Sequence, residues 1–145
     1  MANFQGTGFS IELPDDCTDA STYTFVLPEN NGFSATLNIR HESATEVSDL
    51  KSHINVSLKA LRASVANFTL LNQAAGKRGE HQGLMTSYEW GEGASRVRQK
   101  QYCLMTSGEN PKLYILTSTD LVSNAAQSDR VFNSIMKTFT PLAGQ

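Results

Sequence analysis

Leu84-Met85-Thr86-Ser87-Tyr88-Glu89-Trp90, then Val97 through Met105, then Leu113-Tyr114-Ile115-Leu116-Thr117-Ser118-Thr119 are three strand-like runs in succession. Gly91-Glu92-Gly93 separates the first two and Gly108-Glu109-Asn110-Pro111 the last two, which predicts an antiparallel meander. Pairing Trp90 with Val97 brings Tyr88 opposite Gln99, Thr86 opposite Gln101 and Leu84 opposite Cys103, because side chains on a strand alternate with a period of two. Pairing Met105 with Leu113 adds Thr117 to Gln101 and Ile115 to Cys103. One face of the meander then carries a polar row, Thr86, Gln101 and Thr117, between apolar rows. Amides and hydroxyls flanked by Tyr88, Trp90 and Ile115 suit either a solvent-facing sheet surface or a binding surface.

On the C-terminal side, Asn124 and Gln127 stand three apart, as in a helix cap. Val131, Ile135 and Phe139, backed by Phe132 and Met136, recur at helical steps until Pro141. On the N-terminal side, Ser43 and Glu46 have the same capping spacing, and Val47, Leu50, Ile54, Leu58, Leu61 and Val65 draw one apolar stripe of a helix. Lys51, Asn55, Lys59 and Arg62 fill its other side. Phe68 to Leu71 reads as a short strand, with Gly76-Lys77-Arg78-Gly79 turning into the meander. Phe9 to Leu13, Ser21 to Leu27 and Phe33 to His41 alternate and read as three earlier strands. In the second of them Tyr23, Phe25 and Leu27 are expected to meet the core. The order predicts one α+β domain over residues 1–145: an antiparallel sheet with two main helices packed on one face and the other face left as a concave groove.

Composition narrows the functions. A chain of 145 residues buries roughly 70% of its unfolded surface as a single domain. With 18% charged residues and a formal charge of −2, it has no field to recruit nucleic acid or an anionic membrane. Arg98 and Lys100 share a strand face with Glu89 across the hairpin, which an ion pair explains. Met1 to Gly8 has neither a basic segment nor an apolar stretch, and no run spans a bilayer. A soluble cytoplasmic protein without direct membrane insertion is therefore expected. Cys17 and Cys103 lack metal-ligand spacing and read as two buried or free thiols rather than a disulfide or metal site.

His41-Glu42 and Glu80-His81 are strand neighbours that point to opposite faces, and His53 has no second ligand one turn away. No nucleophile elbow, phosphate loop or dinucleotide fingerprint occurs. The residues thus predict no catalysis, no metal and no cofactor.

Phe9-Ser-Ile-Glu-Leu-Pro-Asp-Asp16, Tyr23-Thr-Phe-Val-Leu-Pro28, Tyr88-Glu-Trp90, Lys100-Gln101 and Tyr114-Ile-Leu-Thr-Ser-Thr119 resemble the DcrB-related family. Within it they resemble the Eag-type chaperones that accompany effectors of bacterial type VI secretion. The resemblance runs in order over nearly the whole chain. It implies a PsbP-like α+β fold and a homodimer with a cupped apolar groove. It also implies binding of the N-terminal transmembrane helices of an effector carrying a PAAR or Rhs domain, shielded in the cytoplasm until loaded on the secretion spike.

By that resemblance Gln101 matches a groove glutamine, Val65 an apolar position near the end of the first helix, and Thr36 and Ser57 small polar contacts. Thr22 and Thr24 depart from isoleucines in a close relative, which implies a more polar groove. With Thr86 and Thr117 from the strand row, these residues make up the expected effector-helix site. The periplasmic lipoprotein branch of the family does not fit the absent leader. The alternative reading is a stand-alone small-ligand or lipid-binding domain of PsbP-like fold using the same face as a pocket.

Overall fold

The structure, a computed structural model, describes residues 1–142. Two strands, β1 (Ala2–Gly6) and β2 (Phe9–Leu13), form a separate hairpin. It turns through Gly8, whose φ of +80° is the left-handed conformation that glycine adopts without penalty. The sequence reading has β2 but not β1.

The remaining strands are β3 (Thr22–Val26), β4 (Thr36–Ser43), β5 (Thr69–Arg78), β6 (His81–Trp90), β7 (Val97–Met105) and β8 (Lys112–Leu121). They form one antiparallel sheet in the order β3-β4-β8-β7-β6-β5. The β6–β7–β8 register agrees pair for pair with the expectation: Thr86 faces Gln101, which faces Thr117, and Leu84 faces Cys103, which faces Ile115. β5 is longer than the predicted short strand, because Gly76 and Lys77 stay paired with Gly83 and Gln82 and the turn falls at Gly79, with φ +61°.

Helix α1 (Leu50–Ser64) and helix α2 (Ala125–Thr138) are the two predicted helices with shifted starts. Asp49, not Ser43, caps α1 and accepts the Ser52 N–H at 3.0 Å; Ser43 is the last residue of β4. Asn124 precedes α2 without a side-chain cap, its amide being committed to the loop between β3 and β4.

The prediction that both helices share one face of the sheet is incorrect. Leu50, Ile54 and Leu58 of α1 pack on Leu84, Tyr88, Cys103 and Ile115. Phe132 and Met136 of α2 pack on Leu37 and Leu116, joined by Met85, Tyr102 and Tyr114. Ile115 and Leu116 are neighbours on one strand and so project to opposite faces. The sheet is therefore the middle of three layers, with a core on each side. The physical reason lies in Tyr102-Cys103-Leu104-Met105 and Leu113-Tyr114-Ile115-Leu116. A strand covered on one side alternates, whereas these two runs are continuously apolar because both their faces are covered.

Tyr23 and Phe25 are also corrected. They lie on the α2 side of β3 but remain about half exposed, because β3 is the sheet edge and α2 does not reach it.

Candidate functional site

The polar row seen in the meander extends through the whole sheet. Thr24, Asn38, Thr117, Gln101, Thr86 and Gln73 occupy matched positions on the six strands. They share the α1 face, and α1 divides them. Over β5 and β6 the helix covers the row, so Thr86 has no exposed surface. Its hydroxyl accepts a 3.3 Å hydrogen bond from the Gln73 side chain, which also donates to Asn55 of α1 at 3.1 Å. Thr86 is thus a satisfied buried polar group beneath a helix, and its assignment as a surface contact is corrected.

Over β3, β4, β8 and β7 the row stays open among the described residues, although α1 packs on Cys103 and Ile115 at one end of the same face. Thr22 and Thr24 are exposed, and Thr36, Thr117 and Gln101 are partly exposed, so five of the eight residues singled out from the sequence share one open floor. At strand spacings of roughly 4.8 Å, four strands give a floor wide enough for one α-helix of about 10 Å diameter. The wall beside it is α1. His53 reaches Glu42 of β4 at 3.3 Å, which identifies the flank of α1 that overlooks the floor. Ser57 stands one turn beyond His53 on that flank and is exposed, with Ala60 and Ser64 continuing the line at helical steps. Val65 is not helical; it caps α1 with its N–H on the Leu61 carbonyl and is half-buried.

Many polar groups of the floor are uncommitted. The Thr24 hydroxyl donates to the Asn38 carbonyl oxygen at 2.8 Å, which leaves the Asn38 amide N–H groups free among the described residues. The Gln101 carbonyl accepts the Cys103 thiol at 3.6 Å, so its N–H groups are also available. The hydroxyls of Thr22, Thr36 and Thr117 make no side-chain hydrogen bond among the described residues. Gln99 and Thr119 bond each other at 3.0 Å in the adjoining row, and Gln99 accepts from Trp90 at 3.4 Å. Asn38, Gln99 and Thr119 are site residues that sequence reasoning missed. The alternation of Phe33 to His41 placed Asn38 on a polar face, but only the pairing of β4 with β8 brings that face beside Gln101.

Cys103, two residues along β7 from Gln101, is buried in the core under α1. Burial pushes its thiol up to about 12, so at neutral pH it holds far less thiolate than an ordinary cysteine. Cys17 is exposed. Iodoacetamide is expected to add one label to the native chain, at Cys17, and two in denaturant. Equal labelling of both in the native state would contradict the buried Cys103.

At one end of the floor Asp19, Arg40, His41, Glu42 and Lys112 line a cleft of about 370 Å³. His41 lies 3.7 Å from Asp19 and His53 lies 3.3 Å from Glu42, so each imidazole contacts a carboxylate from a different element rather than its sequence neighbour. Ser21, through its hydroxyl and its N–H, holds the Asp19 carboxyl below its usual range. No group of three potential metal ligands occurs among the described residues, and no described helix is long and apolar enough to cross a membrane.

These features define an α+β protein with an open, amide-lined and hydroxyl-lined floor on one side of a central antiparallel sheet. The chain belongs to the DcrB family, whose model matches residues 9–138. PA94, a protein of unknown function from Pseudomonas aeruginosa, has a similar structure, with a TM-score of 0.78 at 17% identity over 98% of this chain and 97% of that one. LpqN of Mycobacterium tuberculosis, involved in cell envelope biogenesis, is similar at a TM-score of 0.57 and 10% identity, over 81% of this chain and 82% of that one. At these identities the likeness is one of fold. No curated protein matches the chain.

Proposed function

We propose that the protein is a non-catalytic carrier that receives an α-helical segment on the floor formed by β3, β4, β8 and β7, against the flank of α1. The observation that supports this most directly is the registered row Thr24, Asn38, Thr117 and Gln101 on the part of the face that α1 leaves open, with amide and hydroxyl groups left unpaired among the described residues. A helix bearing small polar side chains can meet those groups. The short side chains of Ser57, Ala60 and Ser64 let its backbone approach α1 closely.

Membership of the DcrB family supports a finer reading. The segment is the N-terminal transmembrane region of a PAAR or Rhs effector. The protein is an Eag-type chaperone of type VI secretion, a cytoplasmic homodimer of PsbP-like fold that shields the segment before loading. The floor is hydroxyl-rich, since Val26 is its exposed apolar residue on β3. The helix it takes is correspondingly more polar than a lipid-facing span.

Co-expression with the N-terminal segment of a PAAR or Rhs effector encoded beside it tests this. The full chain is expected to raise the level of that segment. Gln101→Ala is expected to weaken capture roughly tenfold through one lost amide contact. Thr24→Asp, which places an unpaired charge in the floor, is expected to weaken it further. Segment levels that do not depend on the protein would sink the proposal, as would capture indifferent to both substitutions.

A further inference from the structure

On the opposite side of the sheet, the loop from Leu27 to Ala35 folds against the first turns of α2 and borders a half-open cavity of about 240 Å³. Leu27, Phe33, Ala35 and Val131 supply apolar walls; the polar lining includes Asp120, Ser128 and the exposed Glu29. The loop is tied down from both sides. Asn30 donates to Gln127 at 3.0 Å, Asn31 donates to Asn124 at 3.1 Å, and Asn124 donates to the Asn30 carbonyl at 3.0 Å. These bonds are what Asn124 and Gln127 do in place of capping α2.

Asp120 is 5% exposed, and one of its oxygens accepts the Leu121 N–H at 2.8 Å. Its other oxygen has no hydrogen-bond partner among the described residues. The cation at the paired position on β7 is Arg98, and its guanidinium is bonded instead to Glu89, at 2.6 and 2.8 Å, and to Asp129, at 3.1 Å. Arg96 is likewise turned to Glu89, at 3.5 Å. Three carboxylates, Glu89, Asp120 and Asp129, therefore stand against two guanidiniums. The second Asp120 oxygen is therefore free to accept from a donor that enters the cavity.

We infer that this cavity binds a primary ammonium group carried on a short alkyl stem, from a free amine or from a lysine side chain of a peptide. The ammonium donates to the uncommitted Asp120 oxygen, and the stem lies along Leu27, Phe33 and Val131. An ammonium, a compact point donor, is matched to a single free oxygen. The volume is below the roughly 300–1,000 Å³ of pockets for drug-sized ligands, which restricts the occupant to a few carbons.

The test is a titration of the full ¹⁵N-labelled chain with n-butylammonium chloride, n-butanol and N-acetyl-lysine methylamide, followed by amide shifts at Ala35, Asp120 and Ser128. Saturable shifts with n-butylammonium, roughly tenfold or more weaker with n-butanol, are expected. Asp120→Asn keeps an oxygen for the Leu121 N–H and is expected to erase the preference for the amine. Val131→Phe, which fills the cavity without altering the carboxylate, is expected to abolish both. Tighter binding of the lysine derivative than of n-butylammonium identifies a peptide as the source, and the reverse a free amine. Equal binding of butanol and butylammonium, an Asp120→Asn variant with its preference intact, or no saturable shift overturns the inference.

Discussion

Ile54→Ala is expected to lower the unfolding free energy by about 2–5 kcal/mol, and Phe132→Ala by about 3–5 kcal/mol. Both side chains are 2% exposed. Ile54 fills the layer between α1 and the sheet, Phe132 the layer between α2 and the sheet, and each truncation opens a cavity that its neighbours fill only in part. Because the sheet stands between the two cores, the losses are expected to add. The milder pair Ile54→Val and Phe132→Leu keeps the double variant folded and makes that measurable. In urea its coupling energy is expected below about 0.5 kcal/mol. Coupling above about 1 kcal/mol would mean that the two helices share one core, as the sequence pattern had suggested.

Arg98→Met is expected to cost about 3 kcal/mol, although methionine replaces most of the arginine stem. Burial disfavours the charged guanidinium, but its bonds to Glu89 and Asp129 more than offset this and hold its pKa above the ordinary value. Removing it leaves Glu89, which is 9% exposed, with only the longer contact to Arg96, and leaves Asp129 without the cation bonded to it. A buried charge that loses its partner is destabilising even where the intact pair contributes little. Asp129→Asn, which removes a partly exposed partner, is expected to cost about 1 kcal/mol or less. Arg98→Lys is expected to fall between, since an ammonium cannot span Glu89 and Asp129 as the fork does. A loss under about 1 kcal/mol for Arg98→Met in denaturant unfolding would show that Arg96 compensates and that the network is a surface one.

The local parts of the fold were legible because their causes are local. The turns around Gly91 and Gly108 and the alternation of the flanking runs were enough to place Thr86, Gln101 and Thr117 in one row, and the register agrees throughout. The stripe Leu50, Ile54 and Leu58 depends only on 3.6 residues per turn. The side of the sheet each helix takes was read wrongly although a signal was present. Leu113-Tyr114-Ile115-Leu116 has no polar alternation, which is the mark of a strand covered on both faces.

The candidate site divides along the same line. Residue types and strand periodicity were sufficient to group Thr22 with Thr24 and Gln101 with Thr117, since each pair lies within one strand or one hairpin. That these two groups share a floor rests on β4 pairing with β8 across the 68 residues between Ser43 and Lys112, a choice made by two-sided burial and not by any nearby turn. Thr86 shows the same limit: its row was read correctly, but whether water or α1 lies above it depends on where the helix packs. Sequence by itself determined periodicity, turns and therefore which side chains share a face, because those follow from backbone geometry over a few residues. Only the tertiary structure decided which faces are covered, which strands are neighbours and which polar groups remain unpaired, because those depend on contacts between segments that the chain order leaves far apart.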